Sequence, residues 1–226
     1  GGGSLTVTGH VNDGIASKDG LVITGGTLEV TAADDGIRGK DHLVVTGGTL
    51  TVTAGGDALK ADNATDAASG FVDLSGGTLT LAAGTQAGDG VDAVSDIIVS
   101  GGTVTVTASY EGLEASNIII GGGDIEVTSA DDGINVSRTS DSTTTTTEVR
   151  GGGGGGNAVI DGIASVTGGT LVIHARGDGF DSNGAASISG GTVVVDQTGN
   201  GNGALDVNGT FTVTGGTLIA VGSARV

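Results

Sequence analysis

Three observations predict that this chain is all-β, a single parallel β-helix of about nine to ten rungs. A Gly-Gly token recurs along it, aliphatic residues alternate with period two around each token, and the apolar content is almost purely aliphatic. The token is Gly-Gly, then Thr (once Asp), then Leu, Val or Ile. It appears eight times, starting at Gly25, Gly47, Gly76, Gly101, Gly122, Gly168, Gly190 and Gly215. The intervals are 22, 29, 25, 21, 46, 22 and 25 residues, a period near 22 with loop insertions. Such a period is the signature of a solenoid. The interval of 46 reads as one rung with a long insertion, or as two rungs.

Within a unit, Leu21 and Ile23 precede the glycines, and Leu28 and Val30 follow them. The same positions hold Leu43, Val45, Leu50 and Val52 in the next unit, and Val72, Leu74, Leu79 and Leu81 after that. Period two with β-branched enrichment specifies strands, and no stretch has a helical period. A two-glycine break repeated eight times reads as a corner between two strands of one coil. A third short strand follows an acidic corner and carries Ile15, Ile37, Leu59, Val91, Leu113, Ile134, Phe180 and Leu205 in one slot. Stacked at about 4.8 Å per rung, these slots form inward ladders that no rung could bury alone. The whole of 1–226 reads as one domain. Asn63 to Gly70 is a small polar insertion, and 138–157, rich in Thr and Gly, reads as a flexible loop leaving the coil.

The chain opens on "GGGS" with no initiator Met and runs out inside repeat text, as expected of a mature or trimmed piece of something longer. Exposed end rungs would invite end-to-end pairing. A structural filament or adhesin subunit is therefore one functional reading.

Composition narrows the partners. Twenty-six acidic and eight basic residues give a formal charge of −18, which disfavours nucleic acid and anionic membranes and favours cations. There is no Cys, hence neither a disulfide framework nor a thiolate metal site, and no apolar run of membrane-spanning length. His10, His42 and His174 fall in unrelated slots, which argues against zinc. The six glycines 151–156 lack the Lys-Ser/Thr of a phosphate loop, and no hydroxyl has a visible His partner for a nucleophilic triad.

The acidic corner carries the chemistry. Aligned units give a column of Asp13, Asp35, Asp57, Asp89, Glu111, Asp132 and Asp178. Asp34 and Asp131 double it in two units, Asp92, Glu114 and Asp181 follow three residues later, and Asp19 and Asp41 follow six later. Like charges one strand spacing apart cost roughly 1 kcal/mol each even in water. Raised pKa values, basic neighbours or bound cations must relieve them. Ca²⁺, which takes 6–8 oxygen ligands in irregular geometry, suits such a column better than Mg²⁺. The plainer reading is that Asp-Gly makes a good corner, with Asp tolerating a left-handed conformation and Gly supplying positive φ. That explains single copies but not the doubled acids. The candidate metal set is Asp13, Asp19, Asp34, Asp35, Asp41, Asp57, Asp89, Asp131, Asp132 and Asp178. Lys18 and Lys40 share one slot beside the corner, Arg38 and Lys60 another; all four are candidate ligand-binding residues, or simply local charge balance.

The text "NDGIASKDGLVITGGTLEVTAADDGIRGKD" resembles bacterial secreted or surface proteins of the carbohydrate-binding domain-containing family, along nearly the whole chain. The resemblance implies a right-handed parallel β-helix similar in shape to pectate lyases. It also implies bound Ca²⁺ at the acidic corners and non-catalytic binding of plant-type polysaccharide, polygalacturonate and cellulose included. Asp34, Asp35, Asp131 and Asp132 match the doubled-acid motif, and Asp13, Asp19 and Asp41 its neighbours. With no Trp and one Tyr, a stacking platform for crystalline cellulose is hard to build, so acidic polysaccharide is the favoured partner. A Ca²⁺-dependent lyase would need a Lys or Arg base. No catalytic residue is assigned, because each basic residue is one variant of a repeated slot. The expected location is extracellular or at the bacterial cell surface.

Overall fold

A computed structural model describes residues 2–137, 159–200 and 202–222. Every strand pairing in it is parallel, and each links one repeat to the next. Three faces result. The first face stacks Ser4–Gly9, Thr27–Ala32 and their successors to Thr217–Val221. The second stacks the three-residue strands Ile15–Ser17, Ile37–Gly39 and Leu59–Ala61, continuing to Leu205–Val207. The third runs from Gly20–Ile23 to Phe211–Val213. The described residues make about eight turns of this parallel solenoid. The expected nine to ten came from leaving the 46-residue interval open. Asp124 pairs directly with Thr170, and Ile134 with Phe180, so that interval is one turn with an insertion. The Thr/Gly-rich stretch 138–157, expected to be a loop, lies outside the described residues.

The predicted inward slot is one continuous ladder. Ile15, Ile37, Leu59, Val91, Leu113, Ile134, Phe180 and Leu205 pair in that order. The six inner members, Ile37 to Phe180, are fully buried. Each such side chain contributes about 1.5–3 kcal/mol by leaving water, so the stack is held by its core rather than by any one rung.

Two kinds of glycine shape the corners, for different reasons. In each Gly-Gly pair the second glycine has φ between +73° and +105°, a left-handed bend between the third face and the first. At Gly48 a Cβ would also sit 2.9 Å from the Gly26 carbonyl of the rung before. The glycine of Asp-Gly-Ile is different. It has no positive φ, and neither does any non-glycine among the described residues. A Cβ at Gly36 would instead overlap Val52 Cγ1 and lie 2.6 Å from the Ala58 carbonyl. The glycine there is a packing requirement, and the left-handed Asp-Gly corner is replaced by a tight but ordinary one.

The insertion at 63–70 is tied down. The Asn63 amide donates to Asp41 Oδ1 at 2.6 Å, and Ser69 and Gly70 are buried against the third face.

Candidate functional site

The acidic column stands where the first face turns into the second, and its aspartates have a structural task. The Asp57 backbone N–H donates to Asp35 Oδ1 at 3.0 Å, and the Asp89 N–H donates to Asp57 Oδ1 at 2.7 Å. Glu111 N–H donates to Asp89 Oδ1 at 3.1 Å, and Asp178 N–H to Asp132 Oδ1 at 2.6 Å. Gly203 N–H completes the series on Asp178. Each carboxylate thus satisfies the corner N–H of the next rung, which the strand ladder leaves unpaired. Glu111, one methylene longer, instead accepts from the Asn135 amide at 2.8 Å. Asp132→Ala should therefore cost about 1–3 kcal/mol in urea denaturation, because the Asp178 N–H loses its acceptor. Asp132→Asn keeps an acceptor oxygen and should cost much less.

Beside the column runs a second outward row, in register: Ala16, Arg38, Lys60, Asp92, Glu114, Asn135, Asp181 and Asp206. Its sign changes along the stack. Arg38 holds Asp62 through two hydrogen bonds, at 3.1 and 2.6 Å, and lies 3.8 Å from Asp13. Lys60 sits among three carboxylates: it bonds Asp57 of its own rung, with Asp92 of the following rung at 3.2 Å and Asp35 of the preceding rung at 3.7 Å. Burial alone would lower the Lys60 pKa, but Asp57 and Asp92 outweigh it and raise it. These two cations are committed to the scaffold. Lys18 and Lys40, at the opposite corner of the second face, make no ion pair among the described residues.

From the fourth rung of the second face onward the row is acidic except for Asn135 in the sixth. Carboxylate oxygens of Asp89, Glu111 and Glu114 lie within 4.8 Å of one another. Burial, and then Glu114, push both the Asp89 and the Glu111 carboxyl groups well above the usual range. Asp132 is pushed up to about 8, by burial and then by Asp131, and Asp181 to about 7, by burial and then by Asp178. Asp35 is raised to about 6 by burial, even with Lys60 beside it.

The doubled acids form two matching pincers. Asp34 and Asp35 both turn Oδ1 over Gly56 of the next rung, 3.0 and 2.6 Å from where a Cβ would stand. Asp131 and Asp132 close in the same way over Gly177, tighter still. Any side chain at Gly56 or Gly177 would fill the cradle. Asp13 joins Asp34 and Asp35 in a group whose oxygens again lie within 4.8 Å. At the second pincer the Tyr110 hydroxyl, its pKa raised by burial and by this bond, is hydrogen-bonded to Asp131.

The candidate metal residues therefore divide. Asp13, Asp34 and Asp35 converge, as do Asp131 and Asp132, with Asp35 and Asp132 each also accepting the next rung's N–H; Asp57 is bonded to Lys60, and Asp178 accepts from Gly203. Asp19 and Asp41 stand at the far corner of the second face, where the Asp41 N–H donates to the Asp19 carbonyl at 3.3 Å, and fall in neither three-carboxylate group. Asp89 converges with Glu111 and Glu114, two residues outside the expected metal set. Their slots were legible in the aligned repeats; their convergence needed the register. The histidines are dispersed: His42 stacks on Phe71 with centroids 5.3 Å apart, and His174 lies between Glu126 and Asp196.

A family model for carbohydrate-binding domain-containing proteins matches residues 1–155 and again 86–224. The chain belongs to that family. The overlap of the two matches is what a repeat allows, since the same pattern can be entered at more than one rung. The partner class of this carbohydrate-binding solenoid is accordingly carbohydrate. No curated protein and no solved structure matches the chain.

Proposed function

We propose that this carbohydrate-binding β-helix is a non-catalytic module for acidic polysaccharide such as polygalacturonate, that it works with Ca²⁺, and that it acts outside the cell or at the bacterial cell surface. The observation that carries the reading is the pair of carboxylate pincers over Gly56 and Gly177. Asp13, Asp34 and Asp35 would hold one ion, and Asp131 and Asp132 another. A hard cation that takes 6–8 oxygens is not saturated by two or three carboxylates. A bound Ca²⁺ supplies local positive charge, and remaining positions for uronate carboxylates, on a protein whose own charge of −18 would repel them. Lys18 and Lys40 add positive charge at the opposite corner of the same face.

The lyase reading loses two of its candidate bases, because a general base must be able to give up its proton. Lys60 is held protonated by three carboxylates, and Arg38 by Asp62 and Asp13.

Calorimetry with polygalacturonate is expected to show binding in Ca²⁺ that chelator abolishes. Asp34→Asn/Asp35→Asn should weaken it by roughly tenfold or more, the equivalent of about 1.4 kcal/mol. Binding unchanged by chelator would remove the Ca²⁺ bridge, and the appearance of unsaturated product would overturn the non-catalytic assignment.

A further inference from the structure

The two pincers are built alike but differ in what the preceding rung gives them. Each covers a glycine that is bonded to its first aspartate: the Gly56 N–H donates to the Asp34 carbonyl at 3.1 Å, and the Gly177 N–H to the Asp131 carbonyl at 2.9 Å. Each cradle has room for a cation, with two carboxylate oxygens over a glycine where any Cβ would collide with them. In the rung before the first pincer the corresponding slots hold Asn12 and Asp13, and Asp13 brings a third carboxylate. Before the second pincer they hold Tyr110 and Glu111; the Asp131 N–H donates to the Tyr110 carbonyl at 2.8 Å, which fixes that alignment. Glu111 is drawn away. It accepts from Asn135 Nδ2 at 2.8 Å and groups with Asp89 and Glu114 instead of with the pincer. What the second pincer receives is the Tyr110 hydroxyl, hydrogen-bonded to Asp131. Hydrogen bonds of this outer kind orient a ligating carboxylate, and removing one typically costs about 10–100-fold in metal affinity.

We propose that Tyr110 is the positioning residue of the second pincer, its hydroxyl holding the Asp131 carboxylate over Gly177 in the orientation a hard cation such as Ca²⁺ requires. The proposal rests on the Ca²⁺ reading and deepens it, because the two sites become unequal. The first is completed by a third carboxylate, the second by a neutral hydroxyl. Tyr110 also labels its own site, being the one tyrosine of a chain without tryptophan. An excited tyrosine sensitises a bound Tb³⁺, a hard stand-in for Ca²⁺, only at close range. The first pincer is three rungs away from Tyr110, roughly 14 Å at about 4.8 Å per rung.

The test is tyrosine-sensitised Tb³⁺ luminescence on the whole protein at about pH 8, where Asp132 can release its proton to an incoming cation. Luminescence should appear with Tb³⁺ and be displaced by Ca²⁺. Asp131→Asn should lose it, whereas Asp34→Asn, which removes the same charge from the first pincer, should keep it. Tyr110→Phe removes the sensitiser together with the hydroxyl, so its effect is read by Ca²⁺ calorimetry. In an Asp34→Asn/Asp35→Asn background, where the second pincer alone remains, Tyr110→Phe should weaken Ca²⁺ binding by about tenfold or more. Equal affinity with and without the hydroxyl would overturn the proposal, even if the melting temperature in chelator fell, since that is the mark of a purely structural bond. Luminescence that survives Asp131→Asn would overturn it too, by placing the ion elsewhere. Failure of the Ca²⁺ reading has a different signature: the unmodified protein would show neither luminescence nor Ca²⁺ heat, and both readings would fall together.

Discussion

Lys60→Met is expected to cost about 3–5 kcal/mol of stability at neutral pH, the range for breaking a buried ion pair by removing one partner. Methionine keeps the length and most of the apolar stem, so the change isolates the ammonium. Without it Asp35, Asp57 and Asp92 face one another across three rungs, with side chains 11%, 7% and 16% exposed. Even beside Lys60, burial holds Asp35 at about 6; without the lysine it would rise further. Protonation relieves the repulsion, so the penalty should shrink as pH falls below about 6, where the folded state can take up those protons. Urea denaturation at neutral and mildly acidic pH reads both quantities. An equal penalty at the two pH values would mean that Lys60 matters for its packing and not for its charge.

That result bears on how the fold chose its charges, and on what could be read before the structure. The period near 22, the eight Gly-Gly corners and the inward ladder from Ile15 to Leu205 were legible, because stacking forces every rung to repeat the same in-out pattern. The acidic column was legible for the same reason. What the one-dimensional text concealed was the purpose of its members. Asp-Gly looked like turn chemistry, but the glycine is needed for clearance from Val52 and its equivalents, and the aspartate for the next rung's N–H. Neither depends on an unusual φ. Glu111 and Glu114 were visible as slot variants yet fell outside the expected metal set, because a convergence across rungs depends on register and side-chain direction. Arg38 and Lys60, equivalent in the row, differ in partners because Asp62, just before the 63–70 insertion, bonds Arg38. The doubled acids were legible as a motif, but not that each pair faces a glycine in the following rung, a correlation between positions 22 and 46 residues apart that only a stacked fold makes meaningful.

The largest effect expected overall is a stability that falls as pH rises when divalent ions are chelated. Asp132 is raised to about 8, Asp181 to about 7 and Asp35 to about 6, and burial raises Asp89 and Glu111 in the same direction. In the unfolded chain these carboxyls ionise near 4. Between that value and their folded values, the native protein holds protons that the unfolded chain has released, so stability must fall with increasing pH across the interval. Their contribution is complete below about pH 4 and is lost progressively as pH climbs through about 6 to 8. In chelator the melting temperature should therefore drop from pH 5 to pH 8, by about 2–4 °C for each kcal/mol in a chain of this size. Asp132→Asn, which keeps the acceptor for Asp178 but cannot ionise, should flatten the upper part of the curve. On the proposed Ca²⁺ reading the ion would compete with the same protons for the same oxygens, so its stabilisation should be small at pH 5 and large at pH 8. A melting temperature that rises with pH in chelator would show that the ladder is ionised and relieved in some other way. A Ca²⁺ increment independent of pH would place the ion away from the raised carboxylates.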